Sequence, residues 1–286
     1  MDCFFVSDLH GSFDRFQKLF DIIRKDLPQA VFIGGDILPG EHHLLTDSLE
    51  EGNNFIEHFL VNKFVDLKGE LKDTFPRIFL ILGNDDSRSE EKKIDEAEKL
   101  GIWEYIHNRK TMFKSYPVYG YAYSPPSPFL LKDWEKYDVS RYVDPGSVSP
   151  EEGIRTVKVR PEEIKYSTIA KDIKTLASDA DLSQAIFLFH APPYKTKIDR
   201  AALDDKKIDH VPLDPHVGSI AIQRFIKDRQ PLLTLHGHIH ESAKLTGSWR
   251  DRMGKTHMFS AAHDGPELAL IRFDPENLDT ATREIC

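Results

Sequence analysis

Three histidines fall within five residues in the segment Leu235-His236-Gly237-His238-Ile239-His240, directly after an apolar run over residues 231–235. Because alternate side chains of an extended chain share a face, His236, His238 and His240 could all point the same way. Imidazole binds zinc, iron, copper and nickel well. On its own, the segment favours a metal site no more than a solvated polar loop, so residues elsewhere in the chain must decide.

Ligand-type residues also follow four other predicted strands. They occur as an Asp-x-His pair at Asp8 and His10, as Asp36 after two glycines, as Asn84 after one glycine, and as His190 before Ala-Pro-Pro. Each has an ordinary structural interpretation, because Asp and Asn commonly cap helices and form turns, and a lone histidine commonly packs in a core. Five such groups at five separate strand ends are poorly explained by coincidence.

The mixture of carboxylate, imidazole and amide groups indicates which metals are suitable. It suits manganese, iron, cobalt or zinc better than calcium or a thiolate site. Two aspartates and several histidines are too many for one tetrahedral zinc, whereas two ions about 3.5–4 Å apart, bridged by one carboxylate, use them all. Such a pair clamps a phosphate oxygen and makes hydroxide available near neutral pH for in-line attack on a phosphate ester. The residues therefore predict a phosphohydrolase with two metal ions.

Alternating strands and amphipathic helices are predicted to position these groups. Strands are predicted at residues 2–6, 30–33, 77–82, 184–189 and 231–235, with two more between 110 and 123. Helices are predicted at residues 12–26, about 50–72, about 89–100, 161–179 and 218–229. Helical crossovers between strands favour a largely parallel sheet, which binds ligands beyond the carboxyl ends of its strands. In the tail, residues 243–273, apolar and polar residues alternate as in antiparallel strands, and turn signals indicate hairpins.

Two irregular segments interrupt this pattern, at about 124–160 and 194–216. Loops of this length inside a compact domain are usually lids or insertions. Because no repeat or flexible linker marks a second domain, residues 1–286 are predicted to form one domain with these two insertions. Aromatic residues in the first and basic residues in the second suit a nucleotide-like ester, although apolar packing and solvation are the simpler explanations.

Composition limits the classes of protein that the chain can represent. Hydrophobic residues make up 40% and charged residues 30% of the chain, which is typical of globular proteins. The net charge of −9 disfavours general binding to nucleic acid. Only Cys3 and Cys286 are present, so there is no disulfide framework and no CxxC zinc site. Without a signal peptide or an apolar run of roughly 18 residues, a cytoplasmic location and no membrane partner are expected.

The five groups occur in the order of the motif blocks of the calcineurin-like metallophosphoesterases, which are DxH, GD, GN, a lone His, and GHxH. The chain resembles an uncharacterised branch of this superfamily. The resemblance implies an α/β fold, a four-layer α-β-β-α sandwich, with two divalent ions of manganese, iron or zinc, of which manganese best supports activity. It also implies roles by position: one metal held by Asp8, His10 and His240, the other by Asn84, His190 and His238, and both bridged by Asp36. His236 has no place in this set, so we expect it to pack or to orient a ligand.

One position departs from the family pattern. Many members carry a histidine after the GN asparagine, where it binds phosphate and protonates the leaving group, whereas this chain has Asp85. A carboxyl group with an ordinary pKa near ~3.9 is a poor acid at pH 7, unless burial or a neighbour such as Asp86 raises its pKa. The resemblance implies catalytic roles for Asp36, Asn84 and Asp85, and contact of Asn84 and Asp85 with the substrate.

We therefore predict a phosphodiesterase that hydrolyses a small or nucleotide-like phosphate ester by attack of a metal-bridging hydroxide. A phosphomonoesterase or protein phosphatase with the same site, and a non-enzymatic metal-binding scaffold of the same fold, are the alternatives. His42, His43 and His263 are alternative acids, although exposed loop histidines are the simpler interpretation of each. The expected partner is a small-molecule phosphate ester rather than nucleic acid or a membrane, and a homo-oligomer is left open.

Overall fold

The computed structural model describes residues 2–40 and 55–286 of the chain. His42 and His43, two of the alternative acids, lie outside the described residues. Fourteen strands occur in the described part, in chain order: β1 (Cys3–Val6), β2 (Ala30–Gly34), β3 (Arg77–Ile81), β4 (Glu104–Tyr105), β5 (Lys110–Phe113), β6 (Tyr116–Tyr121), β7 (Ile186–Phe189), β8 (Lys207–Ile208), β9 (Val211–Pro212), β10 (Leu233–His236), β11 (Arg250–Met253), β12 (Thr256–Ser260), β13 (Ala269–Phe273) and β14 (Thr282–Ile285).

The helices lie between these strands. The α-helices of the described residues are α1 (Phe13–Asp26), α2 (Asn62–Leu71), α3 (Glu91–Ala97), α4 (Pro161–Tyr166), α5 (Ile169–Ala177), α6 (Ile220–Arg229) and α7 (Ser242–Thr246). A π-helix, Phe55–Val61, leads into α2, and short 3-10 turns cover Lys72–Thr74, Arg88–Glu90, Glu98–Leu100 and Leu278–Thr280. No described helix is long and apolar enough to cross a membrane.

Two six-stranded sheets form the centre of the molecule. The first has the order β14-β13-β1-β2-β3-β4 and the second the order β11-β12-β10-β7-β6-β5. In each sheet four neighbouring strands run parallel, and antiparallel strands complete the edges. Among the parallel strands, β1, β2 and β7 are buried and apolar throughout, as expected for strands covered on both faces.

The sheets pack face to face through aromatic rings. Phe32 of the first sheet lies 6.4 Å from Phe113 of the second, measured between ring centroids. Helices cover both outer faces: Phe20 of α1 meets Phe64 of α2 at 5.0 Å beside the first sheet, and α5 packs with α6 beside the second. The predicted α/β fold, a four-layer α-β-β-α sandwich, is confirmed.

Helix α1 shows how local sequence produces these elements. Its buried side chains recur at helical spacing and are Phe16, Leu19, Phe20 and Ile23. The Ser12 side chain caps the helix by accepting a hydrogen bond from the backbone N–H of Arg15 at 3.3 Å. The backbone N–H of Ser12 also donates to the Leu9 carbonyl at 2.9 Å, which ties the start of the helix to the Asp8–His10 loop.

The structure corrects three predicted elements. The helix predicted at 161–179 is two helices, because Thr168 is extended and caps α5 instead of continuing α4. The helix predicted at about 50–72 is described only from Phe55, and its described part begins with a π-helical segment, Phe55–Val61. The tail is not only antiparallel: it contains α7, and β12 pairs in parallel with β10.

The first predicted insertion is held by two carboxylates, of which Asp133 is fully buried. Asp133 of the first accepts hydrogen bonds from the backbone N–H of Arg88 at 2.8 Å and of Thr156 at 2.9 Å. Asp138 binds the first turn of α6 through the N–H of Ile220 at 2.6 Å. The second insertion contains the small β8–β9 hairpin. The first insertion is thus tied to the loop that follows Asn84.

Candidate metal centre

The predicted ligands all lie beyond the carboxyl ends of parallel strands. Asp8 and His10 follow β1, Asp36 follows β2, Asn84 follows β3, His190 follows β7, and His238 and His240 follow β10. Strands from both sheets therefore supply side chains to one region. This is the edge at which parallel α/β sheets place their ligands.

A first cluster contains Asp8, His10, Asp36 and His240. Each offers one ligand atom, and these atoms all lie within 4.8 Å of one another. The Nε2 atoms of His10 and His240 are 3.1 Å apart, and His240 Nε2 is 3.4 Å from Asp8 Oδ1. Two ring nitrogens and the carboxylates converge on one point, which is the arrangement that a metal ion requires.

A second cluster contains Asp36, His190 and His238, again with ligand atoms within 4.8 Å of one another. His190 Nε2 lies 3.3 Å from Asp36 Oδ2 and 2.9 Å from Asn84 Oδ1. His190 Nδ1 donates to the backbone carbonyl of Gly34 at 2.8 Å, which turns Nε2 toward the cluster. Asp36 belongs to both clusters, so the structure brings all seven predicted ligands together around one shared carboxylate.

The backbone at this centre is strained. The φ angle is positive at Asp8 (57°), His10 (46°), Asp36 (50°) and His238 (76°), in the left-handed region that side chains other than glycine rarely adopt. Gly83 is required for a different reason, because a Cβ there would lie 2.4 Å from Asp36 Oδ1. Such conformations persist where the surrounding structure enforces them, and they concentrate at functional sites.

His236 does not share a face with His238 and His240. Strand β10 ends at His236, and the positive φ of His238 breaks the extended alternation. His236 is buried, with Nδ1 2.9 Å from the Ala191 carbonyl and Nε2 2.7 Å from Thr234 Oγ1. It belongs to neither cluster and packs beneath the loop, as the family's motif pattern implied.

The histidines of the centre balance the negative charge of its buried aspartates. Burial lowers the pKa of His190, but the Asp36 carboxylate outweighs it and raises the pKa to about 9. For His10, burial is outweighed by the hydrogen bond to Asp85 and by the charges of Asp36 and Asp8, and the pKa rises to about 9. Burial raises the pKa of Asp36, but the cationic rings lower it to about 2.

These shifts show that the buried carboxylates require compensating positive charge. A divalent cation supplies that charge and needs neutral imidazole, so metal binding at this centre would release protons. Asp8 Oδ2 is buried without a hydrogen-bond partner in the described structure, which is costly unless a cation or other donor satisfies it. The residues present therefore fit a metal centre.

Asp86 is a residue of the centre whose role the sequence did not reveal. It is fully buried, and it accepts hydrogen bonds from the backbone N–H groups of Leu38 at 2.7 Å and Gly83 at 2.8 Å. Burial, with the nearby charge of Asp36, raises its pKa to about 7. Asp86 thus joins the loops that carry Asp36 and Asn84. The only sequence signal was a second acid after the asparagine.

Asp85 lies at the rim of the centre, with about a third of its side chain exposed. Its backbone N–H donates to Asp36 Oδ1 at 2.8 Å, and its Oδ2 lies 3.2 Å from His10 Nδ1. The remaining alternative acid, His263, has its Nε2 3.1 Å from Glu267 Oε2. The carboxylate of Asp85 is thus beside the first cluster, in contact with one of its candidate ligands.

Comparison with known proteins places this geometry in a family. The family model described as calcineurin-like phosphoesterase matches residues 1–242. This chain belongs to the calcineurin-like phosphoesterase family. The matched region contains both clusters, and members of this family typically bind divalent metal ions. No curated protein matches the chain.

Solved structures support the fold at low sequence identity. A protein of Thermus thermophilus superposes with a TM-score of 0.55 at 15% identity, covering 99% of this chain and 98% of that one. A dimetal phosphatase from Danio rerio gives 0.51 at 12% identity, covering 95% of each chain. A phosphopantetheinyl hydrolase from Mycobacterium tuberculosis gives 0.50 at 11% identity, covering 91% of this chain and 89% of that one. These similarities establish the fold, and the site must be argued from this chain's own residues.

Proposed function

We propose that this phosphoesterase is a two-metal phosphodiesterase that hydrolyses small or nucleotide-like phosphate esters. The observation that carries the proposal is the pair of ligand clusters that share Asp36. Asp8, His10 and His240 would hold one ion, and Asn84, His190 and His238 the other. Two bound ions supply water activation near neutral pH and neutralise charge on the phosphate.

Manganese, iron and zinc all suit the donor set, because it combines carboxylate, imidazole and amide groups without thiolate. We propose manganese as the metal that best supports activity. The donation from His190 to the Gly34 carbonyl and the buried, unpartnered Asp8 Oδ2 support a centre prepared for cations rather than a polar core. Asn84 would bind a metal through Oδ1 and donate a hydrogen bond from its amide nitrogen to a phosphate oxygen.

The preference for diesters rests on Asp85. A phosphate monoester brings up to two negative charges to the centre, whereas a diester brings one. An additional unit charge about 6 Å from a carboxylate costs about 2–3 kcal/mol at an effective dielectric constant near 20. A carboxylate at the rim, where other members of the family carry histidine, therefore disfavours the monoester. After screening by salt, we expect at least about a tenfold preference for the diester.

A hydrolysis panel tests this function. The manganese-loaded protein is assayed with bis(para-nitrophenyl) phosphate and with para-nitrophenyl phosphate, and kcat/KM is compared. We expect the diester to be the better substrate. A faster monoester reaction would favour a phosphomonoesterase or protein phosphatase, and no hydrolysis of any ester in a broad screen would favour a metal-binding scaffold. Asp36→Asn is the control, because activity that survives it comes from a contaminant or from another site.

A further inference from the structure

A second carboxylate–histidine arrangement lies outside the two metal clusters. Asp199 of the second insertion is fully buried, and its Oδ1 lies 2.8 Å from His216 Nδ1. The same carboxylate accepts hydrogen bonds from the backbone N–H groups of Thr196 at 2.8 Å, Lys195 at 2.9 Å and Gly218 at 3.3 Å. A carboxylate held by this many donors has one orientation, so it fixes the imidazole ring as well.

The bond at Nδ1 has a chemical consequence for His216. It leaves Nε2 available, and about a quarter of the side chain is exposed. A buried carboxylate that is bonded to Nδ1 fixes the orientation and the tautomer of an imidazole ring. The Asp199 carboxylate therefore fixes the ring of His216 and leaves Nε2 outside that hydrogen bond.

The pair lies on the edge of the molecule that carries the metal ligands. The second insertion belongs to the connection from β7 to α6, which begins at the carboxyl edge of the second sheet. The backbone N–H of Ser219 donates at 2.8 Å to the carbonyl of Pro192, two residues beyond His190. On the other side, the N–H of Ala202 donates at 3.0 Å to Glu241, the residue after His240. The insertion is thus attached to the loops that carry ligands of both clusters.

Three other described histidines outside the clusters are less suited to donate a proton here. His236 is buried with both ring nitrogens bonded, and so is His107. His263 lies on the loop after β12, but its partner Glu267 is nearly half exposed and is held less firmly. Of these four histidines, His216 alone combines an accessible ring at this edge with a buried carboxylate behind it.

We propose that His216 is the general acid of the hydrolysis, with Asp199 as its positioning residue; this rests on the proposed function. As water adds to phosphorus and loses a proton to solvent, the bond from phosphorus to the leaving oxygen breaks and its electron pair stays on that oxygen. His216 transfers its Nε2 proton to this oxygen, which leaves as an alcohol. The ring becomes neutral, keeps its Nδ1–H bond to Asp199, and regains a proton from solvent.

Leaving-group chemistry tests the proposal without knowledge of the natural substrate. The diesters methyl para-nitrophenyl phosphate and methyl phenyl phosphate differ mainly in how much their leaving oxygen needs a proton. His216→Asn should lower kcat on the phenyl ester by about a hundredfold, since general acids contribute about 10²–10⁴-fold, and should barely change kcat on the para-nitrophenyl ester. Asp199→Asn should also lower kcat on the phenyl ester, by a smaller factor. His263→Asn, a matched substitution on the same edge, should change neither rate.

Metal content and melting temperature are measured on the same proteins, and both should match the wild type. Equal losses of kcat on both esters, or no loss on either, would overturn the proposal for His216. A loss on the phenyl ester in His263→Asn as large as that in His216→Asn would overturn it as well. If the wild-type protein with two metals hydrolyses neither diester, the proposed function itself fails, and this inference fails with it.

Discussion

Replacement of Asp36 by asparagine should reduce metal binding at both clusters at once. Asp36 Oδ1 accepts the Asp85 N–H at 2.8 Å, and Oδ2 lies 3.3 Å from His190 Nε2. The same carboxylate is the one member that the two clusters share. Asparagine retains the shape and one oxygen acceptor but removes the negative charge, so its effect reports on metal binding more than on packing.

The magnitude follows from linkage between binding and folding. A ligand present at 100 times its Kd stabilises the folded state by about 2.7 kcal/mol, so two ions contribute about 5 kcal/mol. In a chain of this length that corresponds to a rise in Tm of about 10 °C. If each Kd rises about a hundredfold in Asp36→Asn, the stabilisation falls to about 0.4 kcal/mol per site and the rise in Tm to about 2 °C.

Thermal unfolding of metal-free and manganese-loaded protein measures this difference. Comparing the change in Tm, rather than Tm itself, removes any effect of the substitution on the metal-free fold. Asp264→Asn is the matched control, because Asp264 forms a surface ion pair with Lys244 at 2.9 Å outside both clusters. A full metal-induced rise in Tm for Asp36→Asn, with hydrolysis retained, would refute the assignment of a shared bridging carboxylate.

Three further substitutions test separate features of the molecule. Asn84→Ala should reduce the bound metal from two ions to about one per chain by elemental analysis; two tightly bound ions would argue against Asn84 as a ligand. Asp85→His should raise kcat/KM for phenyl phosphate by about tenfold or more, because a proton donor replaces a like charge; an unchanged value would show that Asp85 does not face the substrate. Asp133→Ala should lower the free energy of unfolding by about 2–4 kcal/mol, because the backbone N–H groups of Arg88 and Thr156 lose their acceptor. Denaturant titration checks this last value, and an unchanged midpoint would show that the first insertion is anchored elsewhere.

Much of the fold followed from periodicity in the sequence. The buried apolar runs before Asp8, Asp36 and Asn84 are strands, because continuous burial of that length suits a sheet covered on both faces. That the metal-ligand motifs meet at one site could also be predicted from the sequence. Residues at the carboxyl ends of parallel strands meet in space however far apart they are in the chain.

The features that the sequence did not predict depend on backbone geometry and burial, which cannot be inferred from residue types alone. The left-handed conformation of His238 cannot be read from an apparently alternating segment. The break between α4 and α5 arises because Thr168 caps a new helix, and threonine also occurs inside helices. Asp86 and Asp199 look like ordinary loop acids, and only their complete burial shows that each organises several backbone groups.

Anomalous diffraction from crystals of the manganese-loaded protein, recorded at the manganese edge, tests the two-metal centre most directly. We expect two peaks about 3.5–4 Å apart, both in contact with Asp36, with His240 on one and His238 on the other. A single peak, or a peak bound by His236, would contradict the two-metal centre assigned to this chain.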